Sequence, residues 1–160
     1  VPTPDFVVDL RARIGHLPMP LVGVTAVVFR EDHVLLGHRS DNGELHPVSG
    51  IVEPGEEPAD VAVREVLEEA GIAARATRLA WVHQMDRVTY ANGDVVDYLT
   101  LTFRCEWVSG EPHPTDGELT DVGWYAVTDL DALGMLDDDH RQRIALATAR
   151  EGATRFEGGC

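Results

Sequence analysis

The chain predicts an α/β fold, a mixed β-sheet with helices on both faces, and three observations carry that class. Leu21–Arg30 is a β-branched, apolar run with the character of a buried strand. Glu57–Ala70 is a long amphipathic helical segment closed by Gly71. A second β-rich half and a further helical segment follow, and the order β-rich, helix, β-rich, helix is that of a sheet covered on two sides.

Each element has a local cause. Asp5–Gly15 spaces Phe6, Val7, Leu10 and Ile14 as a short amphipathic helix, with Asp5 placed to cap it and Gly15, Pro18 and Pro20 placed to stop it. His33–Arg39 follows the polar break Glu31-Asp32, which predicts a hairpin with the first strand. Ser40–Gly43 is turn chemistry. In the central helix, Ala59, Val63, Val66, Leu67 and Ala70 are expected on the buried face. Ala76–Val88, Val95–Val108 and Asp121–Val127 read as strands, with Asn92-Gly93 turning between the first two. Asp139–Arg150 closes as a helix, and the tail 151–160 is expected to fray. With no repeat and no long linker, a single domain over 1–160 is expected, its core spanning about 21–127.

Composition narrows the function classes. Hydrophobic residues at 44% and charged residues at 26% are globular values. No run approaches the ~18 apolar residues of a membrane span, and Val1–Leu10 lacks a signal-peptide layout. Cys105 and Cys160 form no disulfide framework, so a reduced, cytoplasmic protein is expected. A net charge of −15 argues against a nucleic-acid surface, which needs a basic stripe. It would also repel an anionic substrate, unless the carboxylates are loaded with Mg²⁺.

Those carboxylates are concentrated. In Gly50–Ile72 (GIVEPGEEPADVAVREVLEEAGI), Glu65, Glu68 and Glu69 stand at i, i+3 and i+4, on one side of the helix. Like charges so placed weaken a helix, Arg64 alone cannot balance them, and Glu53, Glu56 and Glu57 add to the deficit. Crowded hard oxygen ligands suit Mg²⁺ or Mn²⁺, although a solvated acidic face is the commoner cause of such a pattern.

Spacing decides between the two. Gly50, Glu56, Arg64, Glu65, Glu68, Glu69 and Gly71, with Val66 and Ile72, match G-x5-E-x7-R-E-U-x-E-E-x-G-U at every defining position, U being a bulky aliphatic residue. Seven fixed residues of roughly 7% frequency coincide by chance about once in 10⁸ starts. The segment resembles the Nudix box. Weaker likeness extends over about 21–127, through Val34-Leu35-Leu36, Arg39 and the stretch Glu118–Trp124. One departure is that Ser49 stands where the family usually has the first of two glycines.

The resemblance implies a Nudix α/β/α sandwich and a metal-dependent hydrolase of phosphorus-containing anhydrides. It implies metal ligation by Glu65, Glu68 and Glu69, by the Gly50 carbonyl and by Glu56, with Mg²⁺ or Mn²⁺ as cofactor. Arg64 is expected to orient a neighbouring glutamate, since a guanidinium fork fixes carboxylate geometry. Glu65, Glu69 and the loop residue Glu118 are the candidate bases for activating water. Arg39, Arg87 and Tyr90 are the expected substrate contacts, while Trp81 and Tyr98 could stack on a base but read more readily as core or surface.

The favoured substrate is a small nucleotide, ADP-ribose or a nucleotide sugar. This rests on a general likeness of Leu21–Arg39 and of the turn Thr89–Asp94 to that group. A nucleoside triphosphate pyrophosphatase of the 8-oxo-dGTP kind, a dinucleoside polyphosphate hydrolase (from the position of Tyr90) and a non-catalytic nucleotide-binding domain are the alternatives. A homodimer through the N-terminal helix is also expected, and the basic patch Arg11–His16 could meet a phosphate or a second subunit.

Overall fold

A computed structural model describes residues 3–134 and 136–158. Cys160 lies outside the described residues. The elements are α1 (Asp5–Ile14), β1 (Met19–Arg30), β2 (His33–Arg39), β3 (Leu45–His46), β4 (Val48–Ile51), α2 (Pro58–Ala70), β5 (Ala73–Gln84), β6 (Val88–Thr89), β7 (Val95–Ser109), β8 (Leu119–Ala126), α3 (Asp138–Thr148) and β9 (Arg155–Phe156). A 3₁₀ turn, Val127–Ala132, joins β8 to the segment before α3.

The strands form one mixed sheet in the order β3-β2-β1-β7-β5-β9, with β8 on β2 and β6 on β7. The central pair, β1 and β7, is parallel and in register from Met19↔Val96 to Phe29↔Glu106. On its other edge β1 has two antiparallel partners. β2 holds only its end (Phe29↔Val34, Arg30↔His33), and β4 pairs with its middle (Gly23↔Ile51 to Ala26↔Val48). That splay brings Ser49 and Gly50 against the centre of the sheet.

Alternation along β1 separates the layers. Val24, Ala26 and Val28 pack with Val61, Val66 and Ala70 of α2, whereas Val27 and Phe29 pack with Ile144 and Ala147 of α3. Burial of each such side chain contributes roughly 1.5–3 kcal/mol. α1 covers a third cluster, in which Val7 meets Met19, Leu21 and Val96. The architecture is the α/β/α arrangement expected.

Three local expectations are corrected. The N-cap of α1 is Pro4, and no side chain caps that helix, so Asp5 supplies first-turn charge instead. The tail is not wholly frayed: Arg155–Phe156 pairs in parallel with Trp81–Val82 of β5, and the Thr154 hydroxyl donates to the Leu79 carbonyl. The third concerns α2. Its buried arc comprises Val61, Ala62, Glu65, Val66, Glu69 and Ala70, and Leu67 is 57% exposed. The helix is rolled so that two glutamates turn inward beneath β4, displacing Leu67 to the surface.

α3 lacks basic residues in its last turn. The sheet supplies them. Arg104 Nη1 donates to the carbonyls of Ala147 and Thr148, both at 2.8 Å, and Arg78 Nη2 donates to that of Leu146 at 2.6 Å. Cations at the negative end of a helix satisfy its last carbonyls.

Candidate active site

The loop between β4 and α2 is organised around Glu56 and Arg64. The Glu53 N–H donates to Glu56 Oε2 at 3.0 Å, which closes the loop onto the start of the helix. Arg64 then contacts three carboxylates: Glu68 Oε2 at 2.8 Å, Glu65 Oε1 at 3.1 Å and Glu56 Oε2 at 3.4 Å. Arg64 therefore ties the helix glutamates to the loop. At the other end, Gly71 takes a left-handed conformation (φ 66°) and its N–H donates to the Leu67 carbonyl.

Burial divides the glutamates. Glu68 is half exposed, whereas Glu65 is 4% and Glu69 0% exposed. Neither oxygen of Glu69 has a hydrogen-bond partner, nor does Oε2 of Glu65. Burial pushes the Glu65 carboxyl up to about 7, against the opposing pull of Arg64. Burial also pushes Glu69 up to about 8, helped by the neighbouring charges of Glu65 and Asp116. Carboxylates this deep and this poorly satisfied leave a deficit of positive charge at one spot.

Gly50 is part of the same packing. A Cβ on Gly50 would fall onto the Glu65 carboxylate, so the strand passes over this side chain only because the residue is glycine. Ser49 pairs with Thr25 of β1 and lines the adjoining cavity.

Two cavities open beside this cluster and share Arg39 and Glu118. One, of about 640 Å³, is bordered by Asp41, His46, Glu68 and Asp116. The other, of about 560 Å³, runs over the sheet face from the first turns of α1 to the start of α3, past Gly50, Arg64 and Glu65. Together they form a groove, with Glu68 bordering one part and Glu65 the other. His46 is buried beside the His140 ring (centroids 5.9 Å apart) and is held down to about 4, chiefly by burial.

The other candidate residues fall in different places. Arg39 reaches the groove but is forked onto Asp41, Nε to Oδ1 at 2.8 Å and Nη2 to Oδ2 at 2.6 Å. Tyr90 lines the second cavity, its hydroxyl 3.0 Å from that of Tyr98. Arg87 is paired with Asp97 on the surface, both contacts at 2.8 Å, and does not border either cavity. Trp81 is a core residue stacked on His83. Asp116 escaped the sequence reading, although it raises both buried glutamates and borders the first cavity. Its proximity to Glu118 in the Thr115–Glu118 loop was the only available signal.

Comparison with known proteins agrees with this arrangement. Residues 19–147 match the model of the NUDIX domain. The chain is 32% identical over 126 residues to an NAD-capped RNA hydrolase NudC of Pseudomonas aeruginosa (strain PAO1), covering 78% of this chain and 42% of that protein. It is 29% identical over 139 residues to the protein of the same name from Stutzerimonas stutzeri (strain A1501), covering 86% and 48%. It thus spans about half the length of the curated relatives it matches. Among solved structures, a NUDIX hydrolase from Nitrosomonas europaea superposes with a TM-score of 0.66 at 29% identity, over 81% of this chain and 89% of that one. An ADP-ribose pyrophosphatase from Streptococcus suis shares the fold, with a TM-score of 0.67 at 23% identity over 87% and 100% of the two chains. With the box residues gathered on one helix and loop, and with the domain match covering most of the sequence, the chain belongs to the NUDIX family of hydrolases.

Proposed function

We propose that this chain hydrolyses the diphosphate linkage of a nucleoside diphosphate joined to a second moiety, with ADP-ribose or a nucleotide sugar as the favoured substrate. The observation that carries this reading is the pair of buried, unsatisfied glutamates on α2, Glu65 and Glu69, of which Glu65 borders the second cavity of a groove whose two parts are lined differently. A diphosphate flanked by two different groups fits such a groove. Relatives whose names refer to an NAD cap, itself a diphosphate between two nucleosides, support the same class.

The orphaned oxygens also fit a divalent cation. Glu65, Glu68 and Glu69 would hold Mg²⁺ or Mn²⁺, with Glu56 and the Gly50 carbonyl assisting. Bound there, such an ion polarises phosphoryl oxygens and makes water more acidic. The chain's own residues supply the rest. Arg64 holds Glu56, Glu65 and Glu68 in one orientation. A carboxylate accepts the proton of the attacking water: Glu69 or Glu65, whose pKa values are drawn toward neutrality, or Glu118 from the opposite loop. Arg39, at the junction of the two cavities, steadies phosphate oxygens, and Tyr90 borders the substrate. Arg87 would join them only by leaving Asp97.

The substrate is a small molecule rather than a nucleic-acid chain, a reading supported by the net charge of −15. A cytoplasmic location is part of the proposal; no helix among the described residues is long and apolar enough to cross a membrane. So is a homodimer through α1, whose Val8 and Leu10 stay exposed, and a light-scattering mass equal to one chain would reject it.

The test is turnover of ADP-ribose, nucleotide sugars, NAD, dinucleoside polyphosphates and nucleoside triphosphates with Mg²⁺, with EDTA and Glu69→Gln controls. AMP plus ribose 5-phosphate from ADP-ribose is the expected result. Release of pyrophosphate from triphosphates as the main activity would replace this reading.

A further inference from the structure

The loop between β7 and β8, residues 110–118, is fastened to the end of α2 at the residues before and after Glu69. The Thr115 hydroxyl donates to the Glu68 carbonyl, and the His113 N–H donates to the Ala70 carbonyl at 3.0 Å. At the loop's far end the Ser40 N–H donates to the Glu118 carbonyl at 2.8 Å. The last turn of α2 has no basic residue, so the loop supplies donors that its carbonyls would otherwise lack. Asp116 follows Thr115 directly and is thereby set beside the helix glutamates. It borders the first cavity together with Glu68 and Glu118.

The arginines of this region are engaged elsewhere. Arg64 contacts Glu56, Glu65 and Glu68, and Arg39 is forked onto Asp41. Both oxygens of Glu69 are buried without a partner. Asp116 Oδ1 accepts the Glu118 N–H at 3.0 Å, while Oδ2 accepts from no group among the described residues. Burial is the first cause of the raised Glu69 pKa, and the charges of Glu65 and then Asp116 add to it; Asp116 acts on Glu65 as well. Three carboxylates from two segments thus repel one another, and of the three Arg64 answers only Glu65.

We propose that Asp116 is a further ligand of the divalent cation, bound through Oδ2, so that the ion is shared between α2 and the loop that carries Glu118. This rests on the reading above that Glu65 and Glu69 hold such an ion. Mg²⁺ and Mn²⁺ take hard oxygen ligands all around, whereas the glutamates of one helix face approach an ion from one side only. A carboxylate from the loop docked on that helix supplies another direction. The hydrogen bond from the Glu118 N–H to Asp116 Oδ1 then gives the two loop acids separate tasks. Asp116 closes the site, and in doing so it fixes the backbone of Glu118, whose side chain is left to work on water.

Asp116→Asn separates a ligand from a turn residue, because the amide oxygen still accepts the Glu118 N–H while the charge is lost. Asp116 is exposed, so the substitution leaves the fold intact, which a metal-free thermal melt checks. Mn²⁺ is titrated into the native chain, Asp116→Asn and Glu69→Gln. Electron paramagnetic resonance of the free ion gives the affinity, and water proton relaxation counts the waters on the bound ion. The expected result is binding weakened roughly 10-fold or more in Asp116→Asn, with higher relaxation per bound ion because water replaces the lost ligand. A role confined to the turn gives native affinity in Asp116→Asn, and a charge acting from a distance gives weaker binding with an unchanged water count. Either outcome overturns the assignment and leaves the ion on α2. If the native chain binds no Mn²⁺, or if Glu69→Gln binds it as the native chain does, the assignment falls together with the cation reading beneath it.

Discussion

Gly50 and Glu65 compete for one space, and glycine is what lets the carboxylate have it. β4 passes directly over α2 at this point, so the backbone of one and the side chain of the other are set against each other. Gly50→Ala should therefore act through Glu65, since no left-handed backbone is involved. We expect a loss of turnover of about 100-fold or more with the fold retained. Steady-state kinetics and a circular dichroism melt check this, and full activity in Gly50→Ala would show that the position of Glu65 does not matter.

Glu69 carries the largest unsatisfied burden of the site, with both oxygens buried and unpartnered. A neutral Gln in its place should raise the melting temperature of metal-free protein while abolishing turnover. Mg²⁺ should stabilise the native chain by binding only the folded state, about 2.7 kcal/mol at a hundredfold excess over Kd, and should stabilise Glu69→Gln far less. Thermal melts across a Mg²⁺ titration measure both effects. A native melting temperature indifferent to Mg²⁺ and Mn²⁺ would count against a metal site here.

His46 predicts an acid-side loss of stability. It is buried, its Nε2 has no partner, and burial holds its pKa at about 4, below the ordinary 6.5. The unfolded chain thus binds a proton more readily than the folded one between those values. Stability is full above pH 6.5 and falls as the pH drops, by a contribution approaching about 3 kcal/mol near pH 4. His140, also lowered mainly by burial, acts in the same direction. Urea denaturation of native protein and His46→Leu at pH 7 and pH 5 should show the smaller pH effect in the variant.

Arg104 is 2% exposed, and besides the two α3 carbonyls it holds Glu106 Oε1 at 2.8 Å and lies over the Phe29 ring. Arg104→Ala orphans all of these groups together. A cost of about 2–4 kcal/mol follows from leaving the two helix carbonyls without their donor, at about 1–3 kcal/mol for each buried group, with the partly exposed Glu106 adding less. Chemical denaturation checks the magnitude; a change below about 1 kcal/mol would show that water replaces the guanidinium freely.

The sequence showed most clearly what lies close together along the chain. Gly50, Arg64 and the helix glutamates fall within Gly50–Ile72, and their spacing was readable because loop and helix are one continuous piece. The roll of α2 was not. An apolar-face rule assigns Leu67 inward and glutamates outward, whereas the folded chain buries Glu65 and Glu69 and leaves Leu67 exposed. β4, with serine and glycine among its four residues, is too short and too polar to announce itself. Asp116 reaches the first cavity from the loop before β8, Gly23 meets Thr100 only across the β1–β7 pairing, and no local pattern marks such meetings.

The arginines that fasten α3 to the sheet have a mechanical consequence for the groove. One wall is bolted: the end of α3 is held by Arg78 and Arg104, and its middle by Arg143, which donates to the hydroxyls of Thr25 in β1 and Thr102 in β7. The wall formed by α1 rests on a small apolar cluster and on Arg11 against Asp94. The slot is a vice with one fixed jaw, and any widening to admit a bulkier guest must come from the tilt of α1.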